Sequence, residues 1–333
     1  MELNFLVYVC EVVKSLRRMK KVFCIGEVLI DFVAENQGKD LTLAHTFTKK
    51  AGGAPANVAC AIAKLGGQAS FIGSVGKDPM GMFLLNVLEN EGVNISCVQR
   101  MPHFTTMAFV SISEDGERDF IFARGADHFL KYDKDLQKNF ENNIVHFGAA
   151  TALLGGELEK AYDHYFFDAL TKNCFISFDP NYREDLWKEE KETFITKCKA
   201  FIEKSDLCKF SEEEALLISG KDSIEEACDE LHRLGAKVLT ITLGKKGTYL
   251  STITKSQLIP SVSVQPVDTT GAGDAFIGCL LQQLSQKSEL KNQGLSFDSW
   301  ANMIQIANKA GAITTTQFGA IAALPNQSDL DQV

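Results

Sequence analysis

VDTTGAGDAF, at residues 267–276, joins an alternating run of residues to an apolar one. The alternating run, 261–267, ends in a proline-containing turn and predicts a strand. The apolar run, 275–281, predicts a buried helix, which Gly271-Ala272-Gly273 is expected to open. Two glycines let successive backbone N–H groups point at one spot, and a helix N-terminus adds unpaired donors and partial positive charge. The segment therefore predicts a binding site for an anion, of which phosphate is the usual example.

The chemistry of this segment depends on Asp274, an acid placed beside the predicted anion site. An anion normally repels a neighbouring carboxylate, but the two can coexist where the acid is a base for phosphoryl transfer. The acid then takes the proton of an attacking hydroxyl while the backbone donors hold the developing charge. The other interpretation is that Asp274 only complements the helix dipole. Short glycine-rich loops are weak evidence, so the segment alone leaves both interpretations open.

Composition and charge exclude several classes of protein. The formal net charge is −9, and no cluster of Lys and Arg forms a basic face, which argues against nucleic-acid binding. The nine cysteines are odd in number and form no Cys-x-x-Cys motif, so we expect reduced thiols and a cytoplasmic protein. The six histidines show no metal-binding spacing, so we expect no protein-bound zinc.

The first 18 residues differ from the rest of the chain. An apolar run at 3–13 is followed by Lys14, Arg17 and Arg18, whereas a secretory signal has its positive charge first. The run is also too short to span a bilayer. Met19 then opens a segment that leads straight into a predicted strand. We interpret residues 1–18 as an N-terminal extension outside the core fold and residues 19–333 as one domain. A short amphipathic helix that docks on a surface is the alternative for the extension.

A second glycine-rich stretch, AGGAPANVACAIAKLGG at 51–67, predicts a helix with clear start and stop signals. Gly52 and Gly53 let backbone amides approach a ligand, and Asn57 offers both a donor and an acceptor to hydroxyl groups. No Gly-Lys-Ser/Thr closes the loop, so it is not a Walker A motif. No Gly-x-Gly-x-x-Gly follows the first strand, which disfavours a dinucleotide-binding oxidoreductase.

The first strand is predicted over the apolar run 22–30, with Asp31 at its end. A carboxylate at the C-terminal end of such a strand faces the ligand edge of an open sheet. A solvated loop acid is the alternative for Asp31. Further along, runs at 105–113 and 118–123 flank a turn and predict a hairpin. Together with 32–47 this hairpin is expected to form a small separate sheet, a lid made from about 32–48 and 104–124.

The remainder of the chain alternates between predicted strands and helices. The strands are expected at 69–75, 144–148, 174–179, 207–210, 237–243 and 248–252. This alternation predicts an α/β fold with a mostly parallel central sheet and helices on both faces. Polar groups follow three of the strands, at 179–183, 209–214 and 242–247, and parallel strands bring such groups to one ligand-binding edge.

The two glycine-rich stretches together resemble the two signatures of the ribokinase/fructokinase family of carbohydrate kinases. The stretches are GGAPAN at 52–57 and DTTGAGD at 268–274, and the resemblance extends over about 19–325. Within that family GEVLIDF at 26–32, FIFAR at 120–124 and DPNYR at 179–183 look like fructokinases and 2-keto-3-deoxygluconate kinases. The resemblance implies a ribokinase-like fold and an ATP-dependent kinase that uses Mg²⁺ and in some members K⁺.

The resemblance also implies roles for individual residues. Asp274 would be the catalytic base, and the amides of Gly271, Ala272, Gly273 and Asp274 the anion hole. Asp31, Gly52, Gly53 and Asn57 would bind sugar hydroxyls, with Arg124 and Arg183 near substrate or phosphate. Asn181, Ser211, Thr242, Gly244, Gly247 and Asn308 would line the nucleotide, with Asn308 at the adenine.

The resemblance assigns the metal ions as well. Glu214 would act on magnesium through water, as the acid of an Asn-x-x-Glu motif in which Ser211 replaces Asn. A hydroxyl can still hold a water of the metal shell, so activity is still expected. Asp268 and Thr270, with the loop 316–319, resemble a monovalent-cation site.

Fructose is the first choice of substrate, phosphorylated at a primary hydroxyl. Deoxygluconate kinases usually carry a tyrosine two residues before the arginine, where this chain has Phe122, which disfavours a carboxylate-bearing sugar. A 2-keto-3-deoxygluconate kinase and then a ribokinase are the alternatives, followed by a catalytically inactive scaffold protein. The expected partners are a small sugar and a second copy of the chain through the lid, with neither nucleic acid nor membrane.

Overall fold

The computed structural model describes residues 19–35, 38, 40–112, 118–291 and 294–332. The predicted extension, 1–18, and the turn of the predicted hairpin, 114–117, lie outside the described residues. The strands are β1 Lys21–Ile25, β2 Leu29–Ala34, β3 Phe47–Gly52, β4 Gln68–Ile72, β5 Ser74–Gly76, β6 Gln99–Met101, β7 Met107–Ile112, β8 Arg118–Ala123, β9 Ile144–Gly148, β10 Phe175–Asp179, β11 Leu207–Ser211, β12 Val238–Thr242, β13 Thr248–Thr252 and β14 Ser256–Ile259. The helices are α1 Ala54–Lys64, α2 Pro79–Asn90, α3 Gly156–Thr171, α4 Glu184–Trp187, α5 Lys191–Ile202, α6 Glu212–Ser219, α7 Ile224–Arg233, α8 Ala272–Ser285, α9 Phe297–Thr314 and α10 Gln327–Asp331.

Eight strands form the main sheet, in the order β14-β13-β12-β11-β10-β9-β1-β4. The strands from β12 to β4 are parallel to their neighbours, and β13 and β14 add an antiparallel edge. The prediction of a mostly parallel central sheet is confirmed. Because the parallel strands end at the same edge, the polar groups after β10, β11 and β12 share that edge.

Helices cover both faces of the sheet, as predicted, because the strands are apolar on both sides. In β1, Val22 and Cys24 belong to one core, and Phe23 and Ile25 to the other. The first core includes residues of α1, α8 and α9, and the second residues of α3, α5, α6 and α7. Alternate side chains of a strand point to opposite faces, so a continuous apolar run indicates burial on both. Among the described residues, none of the helices combines the length and apolar character needed to cross a bilayer.

A small separate sheet contains four strands in the order β3-β2-β7-β8. β7 pairs antiparallel with β8, and β2 joins them to β3, so the predicted second sheet is confirmed. Its strands carry a cluster of aromatic rings, with the centroids of Phe32 and Phe109 5.2 Å apart and Phe47 against Phe109. A third sheet contains only β5 and β6.

Each of two predicted strands is divided into two separate strands in the structure. The run 22–30 contains β1 and β2, which belong to different sheets, and the chain changes direction at Gly26, whose φ is +148°. Asp31 therefore lies within β2 of the small sheet instead of at the end of a main-sheet strand. The run 69–75 is divided in the same way between β4 and β5. Both halves of each run are buried, so their apolar pattern is continuous across the break.

The strand predicted at 261–267 is wrong. The last strand ends at Ile259, and the segment leading to α8 pairs with no strand of the described chain. Pro260 and Pro266 bracket this segment, and neither has an N–H for a ladder. It is fastened instead at its end, where the amides of Val267 and Asp268 donate to the Thr315 carbonyl at 2.7 and 3.1 Å.

Candidate active site

The first turn of α8 presents backbone donors, as the glycine-rich segment predicts. Gly271 precedes the helix with a φ of +80°, the left-handed conformation that glycine adopts at little cost. The Ala272 amide donates to the Thr269 carbonyl at 3.3 Å, and the Ala275 amide to the Gly271 carbonyl at 2.8 Å. The amides of Gly273 and Asp274 have no acceptor in the part of the chain that the structure describes. These two donors fit an anion.

Asp274 faces Asn57 across the gap between α8 and α1. Asn57 Nδ2 donates to Asp274 Oδ2 at 2.8 Å, and both residues are at least nine-tenths buried. An ionised carboxylate only accepts hydrogen bonds, so this contact fixes the orientation of the Asn57 amide. Asn57 Oδ1 is left buried without a hydrogen-bond partner among the described residues. A buried orphan acceptor beside an acid suits a ligand that brings a hydroxyl group.

Burial raises the pKa of Asp274 to about 6. The hydrogen bond from Asn57 and the positive charges of Lys209 and Arg183 act in the opposite direction, whereas the carboxylate of Asp179 raises the pKa further. A carboxylate with a pKa close to neutrality can both accept a proton and be ionised when it is needed. The electrostatics therefore suit a general base better than a helix-start acid, whose pKa the dipole would lower.

Gly52 and Gly53 bring the backbone close to two other segments. Gly53 has a φ of +103°, and a Cβ there would lie 2.6 Å from the Glu27 carbonyl oxygen. A Cβ on Gly52 would lie 1.9 Å from Asp31 Oδ2, so the Asp31 carboxylate packs directly on this glycine. Asp31 thus reaches the glycine pair from β2, although the sequence predicted a different strand for it.

Arg124 is held by a buried acid. Its Nε and Nη2 atoms lie 3.3 and 3.2 Å from Asp127 Oδ2, and Nη2 also donates to the Thr151 carbonyl at 3.3 Å. Asp127 in turn accepts hydrogen bonds from Thr106 Oγ1 and the Gly125 amide. The guanidinium group is positioned by these contacts, and 20% of the side chain is exposed.

Arg183 is exposed at the C-terminal edge of the sheet, where its Nη1 donates to the Tyr182 carbonyl at 2.9 Å. Its charge lowers the pKa of both Asp274 and Glu27. Arg183 therefore lies in one polar region with Asp274 and Glu27, and Arg124 is connected to that region through Asp127, which acts on Glu27.

Glu27 is a buried acid of this region to which the motifs gave no role. Its Oε1 accepts from the Ala54 amide at the start of α1, and Thr151 Oγ1 donates to its Oε2 at 3.4 Å. Burial raises the pKa of Glu27 to about 7, with Asp127 acting in the same direction. The sequence signal was the acid inside an otherwise apolar run, at the point where the chain leaves β1 for β2.

The predicted magnesium residue Glu214 joins two loops at the sheet edge. Its Oε1 accepts from the Tyr182 amide at 2.8 Å and its Oε2 from the Ser211 amide at 2.7 Å, while Ser211 Oγ accepts from the Glu214 amide. This reciprocal capping box opens α6. Within the described ranges no three metal-ligating side chains cluster. A magnesium ion that keeps its waters and binds phosphates fits this pattern, because it needs few protein ligands.

The predicted nucleotide residues divide into two groups. Asn181 has a φ of +50° and its amide donates to Asp179 Oδ1 at 3.2 Å, beside Glu214. Thr242, Gly244 and Gly247 lie at the β12–β13 turn, where a Cβ on Gly247 would lie 2.1 Å from the Ile259 carbonyl oxygen. Asn308 lies close to this turn on α9, but its side-chain amide already has hydrogen-bond partners. Its Nδ2 donates to the carbonyls of Ile259 and Pro260, and its Oδ1 accepts from Thr248 Oγ1 at 2.6 Å.

Asp268 ties the segment before α8 to the loop after α9. Its Oδ1 accepts from the amide and hydroxyl of Thr270 at 3.0 and 2.6 Å, and its Oδ2 from the Gly319 amide at 2.9 Å. The structure thus brings together the two loops that the sequence predicts for a monovalent cation.

Two further charged residues lie under the first turn of α8. Lys209 Nζ is 3.0 Å from Asp179 Oδ2, and the two side chains are only 8% and 1% exposed. The sequence placed both among the polar groups after strands, but gave neither a role.

The chain is similar to proteins of known function over most of its length. Residues 19–327 match the model of the pfkB family carbohydrate kinases. The chain is 37% identical over 318 residues to fructokinase-1 of Zea mays, covering 94% of this chain and 97% of that protein. It is similar to the crystal structure of Vibrio cholerae O395 fructokinase with fructose, ADP and calcium (TM-score 0.79, 32% identity, 95% of this chain and 99% of that one). It is also similar to the crystal structure of Xylella fastidiosa fructokinase with bound ATP (TM-score 0.82, 27% identity, 94% and 98%). The chain therefore belongs to the pfkB family of carbohydrate kinases.

Proposed function

We propose that this protein is a fructokinase, which transfers the γ-phosphoryl group of ATP to a primary hydroxyl of fructose and gives fructose 6-phosphate. The observation that carries the proposal is the hydrogen bond from Asn57 to Asp274 at the start of α8, where the amides of Gly273 and Asp274 have no acceptor among the described residues. Acid, hydroxyl acceptor and phosphate donors thus converge on one spot, as in-line transfer to an alcohol requires.

In this mechanism Asp274 takes the proton of the sugar hydroxyl as the hydroxyl oxygen attacks phosphorus. The amides of Gly273 and Asp274 bind the oxygens of the transferred group, where negative charge accumulates, whereas the Ala272 amide donates to the Thr269 carbonyl. Asn57 Nδ2 holds the carboxylate in place, and its buried Oδ1 accepts a hydrogen bond from the sugar. Asp31, packed on Gly52, accepts from further sugar hydroxyls.

The nucleotide is assigned to the adjoining C-terminal edge of the sheet. Thr242, Gly244 and Gly247 would line it at the β12–β13 turn, with Asn181 and Ser211 towards the phosphates. Asn308 would contribute less directly than the resemblance implies, because its amide holds the Ile259–Pro260 backbone that forms the wall of this site. It shapes the adenine pocket instead of pairing with the base.

Magnesium is proposed to be held by ATP phosphates and water, with Glu214 and Ser211 as the protein groups on its water shell. When bound, the ion supplies positive charge to the phosphates. Asp268 and Thr270 are proposed to surround K⁺ together with the 316–319 loop. Because the Asp268 carboxylate already joins the two loops, its main part is to shape the site for backbone carbonyls.

Fructose is favoured over a sugar acid by the state of Arg124. An acid such as 2-keto-3-deoxygluconate needs a cation, and of the two predicted arginines Arg124 is already paired with buried Asp127, whereas Arg183 is exposed at the edge of the site. Phe122, two residues earlier, has no hydroxyl to add. The relatives named fructokinase support the same choice.

The small sheet is proposed to act as a lid and as the surface through which two copies associate. Its β8 strand exposes 55% of Ile121, an apolar side chain that association would cover. The cysteines that the structure describes are free thiols, which supports action in the reducing cytoplasm.

The test is a coupled ADP-release assay on the purified chain with MgATP and fructose, 2-keto-3-deoxygluconate, ribose or adenosine. We expect kcat/KM for fructose to exceed each of the others by at least about tenfold, because the site is built for neutral hydroxyls. Preference for the sugar acid would overturn the substrate assignment. No turnover with any of them would favour a scaffold protein.

A further inference from the structure

Lys209 is a buried cation in the midst of acids. It lies on β11 with 8% of its side chain exposed, and its ammonium is 3.0 Å from Asp179 Oδ2. The acids whose charges act on Lys209 are Asp179, Glu214 and Asp274. The lysine is therefore a fixed positive charge, and its nearest acids include the proposed base.

The ammonium packs against the first turn of α8. A methyl group on Gly273 would lie 3.2 Å from Lys209 Nζ and 3.5 Å from its Cε. Gly273 is the middle of the turn whose amides are assigned to the phosphate, so the ammonium lies next to those donors. A helix N-terminus contributes about half a positive charge, and the Lys209 ammonium, although paired with Asp179, brings the positive end of that ion pair to the same turn.

A buried ion pair by itself is weak evidence for any role. Replacing such a pair with uncharged residues of similar shape is often neutral for stability, whereas removing one partner is costly. The position of Lys209 distinguishes it from an ordinary core pair. Without it, Asp179, Glu214 and Asp274 would face a polyphosphate with no buried cation among them.

We propose that Lys209 is a positioning residue for ATP: anchored by Asp179 beneath Gly273, it holds the first turn of α8 and offsets the acids that would otherwise repel the phosphates. The proposal rests on the assignment of ATP phosphates to this turn. It predicts that loss of the Lys209 charge weakens the binding of phosphates, whereas loss of its packing changes only the stability of the fold.

The test uses the double variant Lys209→Met with Asp179→Asn, which removes both charges and leaves neither partner unpaired. The Asp179→Asn side chain still has an oxygen that can accept from the backbone amide of Asn181, which donates to Asp179 Oδ1 in the wild type. The control is Lys237→Met with Asp206→Asn, in which the lysine is 58% exposed and the aspartate also lies 3.3 Å from Lys291 Nζ. This is another lysine–aspartate pair of the same sheet, at the amino ends of β11 and β12, with an Nζ–Oδ1 distance of 2.6 Å.

Calorimetry measures the binding of MgATP and of adenosine to each protein. We expect the double variant to bind MgATP at least about tenfold more weakly, with adenosine affinity unchanged and thermal stability close to wild type. In the kinase assay kcat should fall by at least about tenfold, less than the loss of an oxyanion donor itself, while the KM for fructose stays within about threefold. The control should retain both affinities.

Equal MgATP affinity in the double variant and the wild type would overturn the proposal and leave Lys209 as a partner for Asp179 only. A parallel loss of adenosine affinity would also overturn it, because the defect would then be one of folding. Binding is measured without turnover, so a wild type that phosphorylates no sugar would refute the proposed function and still allow this decision.

Discussion

Replacing Asp274 with asparagine should stabilise the protein and at the same time nearly abolish its activity. Burial raises the pKa of Asp274 from 3.8 to about 6, so the folded protein holds its ionised form at a cost. The stability contributed by the protonated carboxyl is complete below pH 3.8 and is lost as the pH rises through 6. At 1.36 kcal/mol per pKa unit, that loss is about 3 kcal/mol at pH 8.

An asparagine side chain resembles the protonated acid and carries no charge that burial would destabilise. The variant should therefore gain about 3 kcal/mol in free energy of unfolding at pH 8, and less than about 1 kcal/mol at pH 4. Loss of the general base should lower kcat by about 10²- to 10⁴-fold. Urea unfolding followed by tryptophan fluorescence suits the measurement, since Trp187 and Trp300 are 1% and 4% exposed.

The matched control is Asp229→Asn, which changes an exposed acid on α7 and should alter neither stability nor rate. A variant with the same stability gain at both pH values would show that the carboxylate is not held ionised against burial. A variant that keeps more than a tenth of the wild-type rate would show that Asp274 is not the base.

Two more predictions concern the neighbours of the base. Asn57→Ala removes a hydrogen bond to a charged acceptor, which is worth about 1.5–3 kcal/mol. The acidic limb of the pH profile of kcat/KM should therefore move to higher pH by about 1–2 units. An unchanged limb would mean that Asn57 does not stabilise the ionised form of Asp274. Gly53→Ala forces a Cβ to 2.6 Å from the Glu27 carbonyl at a φ of +103°, and should cost more than the about 1–3 kcal/mol expected for backbone strain alone. Gly66→Ala is its control, because Gly66 has a φ of +81° with open space around it, and equal urea midpoints for the two variants would refute the clash.

The layers of the fold could be predicted because parallel strands that are buried on both faces are continuous apolar runs in the sequence, as in β1 and β9. The sequence could not reveal the breaks inside two of those runs. β1 and β2 belong to different sheets, yet the residues on both sides of Gly26 are buried, and hydrophobicity does not distinguish which sheet buries them. The error at 261–267 has the opposite cause, since an alternating pattern bracketed by prolines is extended without a partner strand.

The site was predictable where the backbone itself makes it and less so where side chains meet over long distances. The glycines at positions 271 and 53 predict left-handed or constrained turns from the sequence alone. The contact of Asn57 with Asp274 joins residues 217 positions apart, and only the packing of α1 on α8 creates it. Lys209 is a single charge in the buried strand β11, and Glu27 is one in the buried connection between β1 and β2; local sequence does not reveal which acid or amide each one contacts.

The pKa of Asp274 can be understood as a balance between two demands on the same carboxylate. A base for a sugar alcohol should bind a proton strongly, which burial achieves, yet it must be ionised before the reaction begins. Asn57 and Lys209 oppose burial, and the resulting value of about 6 leaves roughly nine-tenths of the sites ionised at pH 7. Removal of either neighbour should lower that fraction at neutral pH, and the polar contacts of α1 and β11 therefore act on catalysis through the ionisation of one residue on α8.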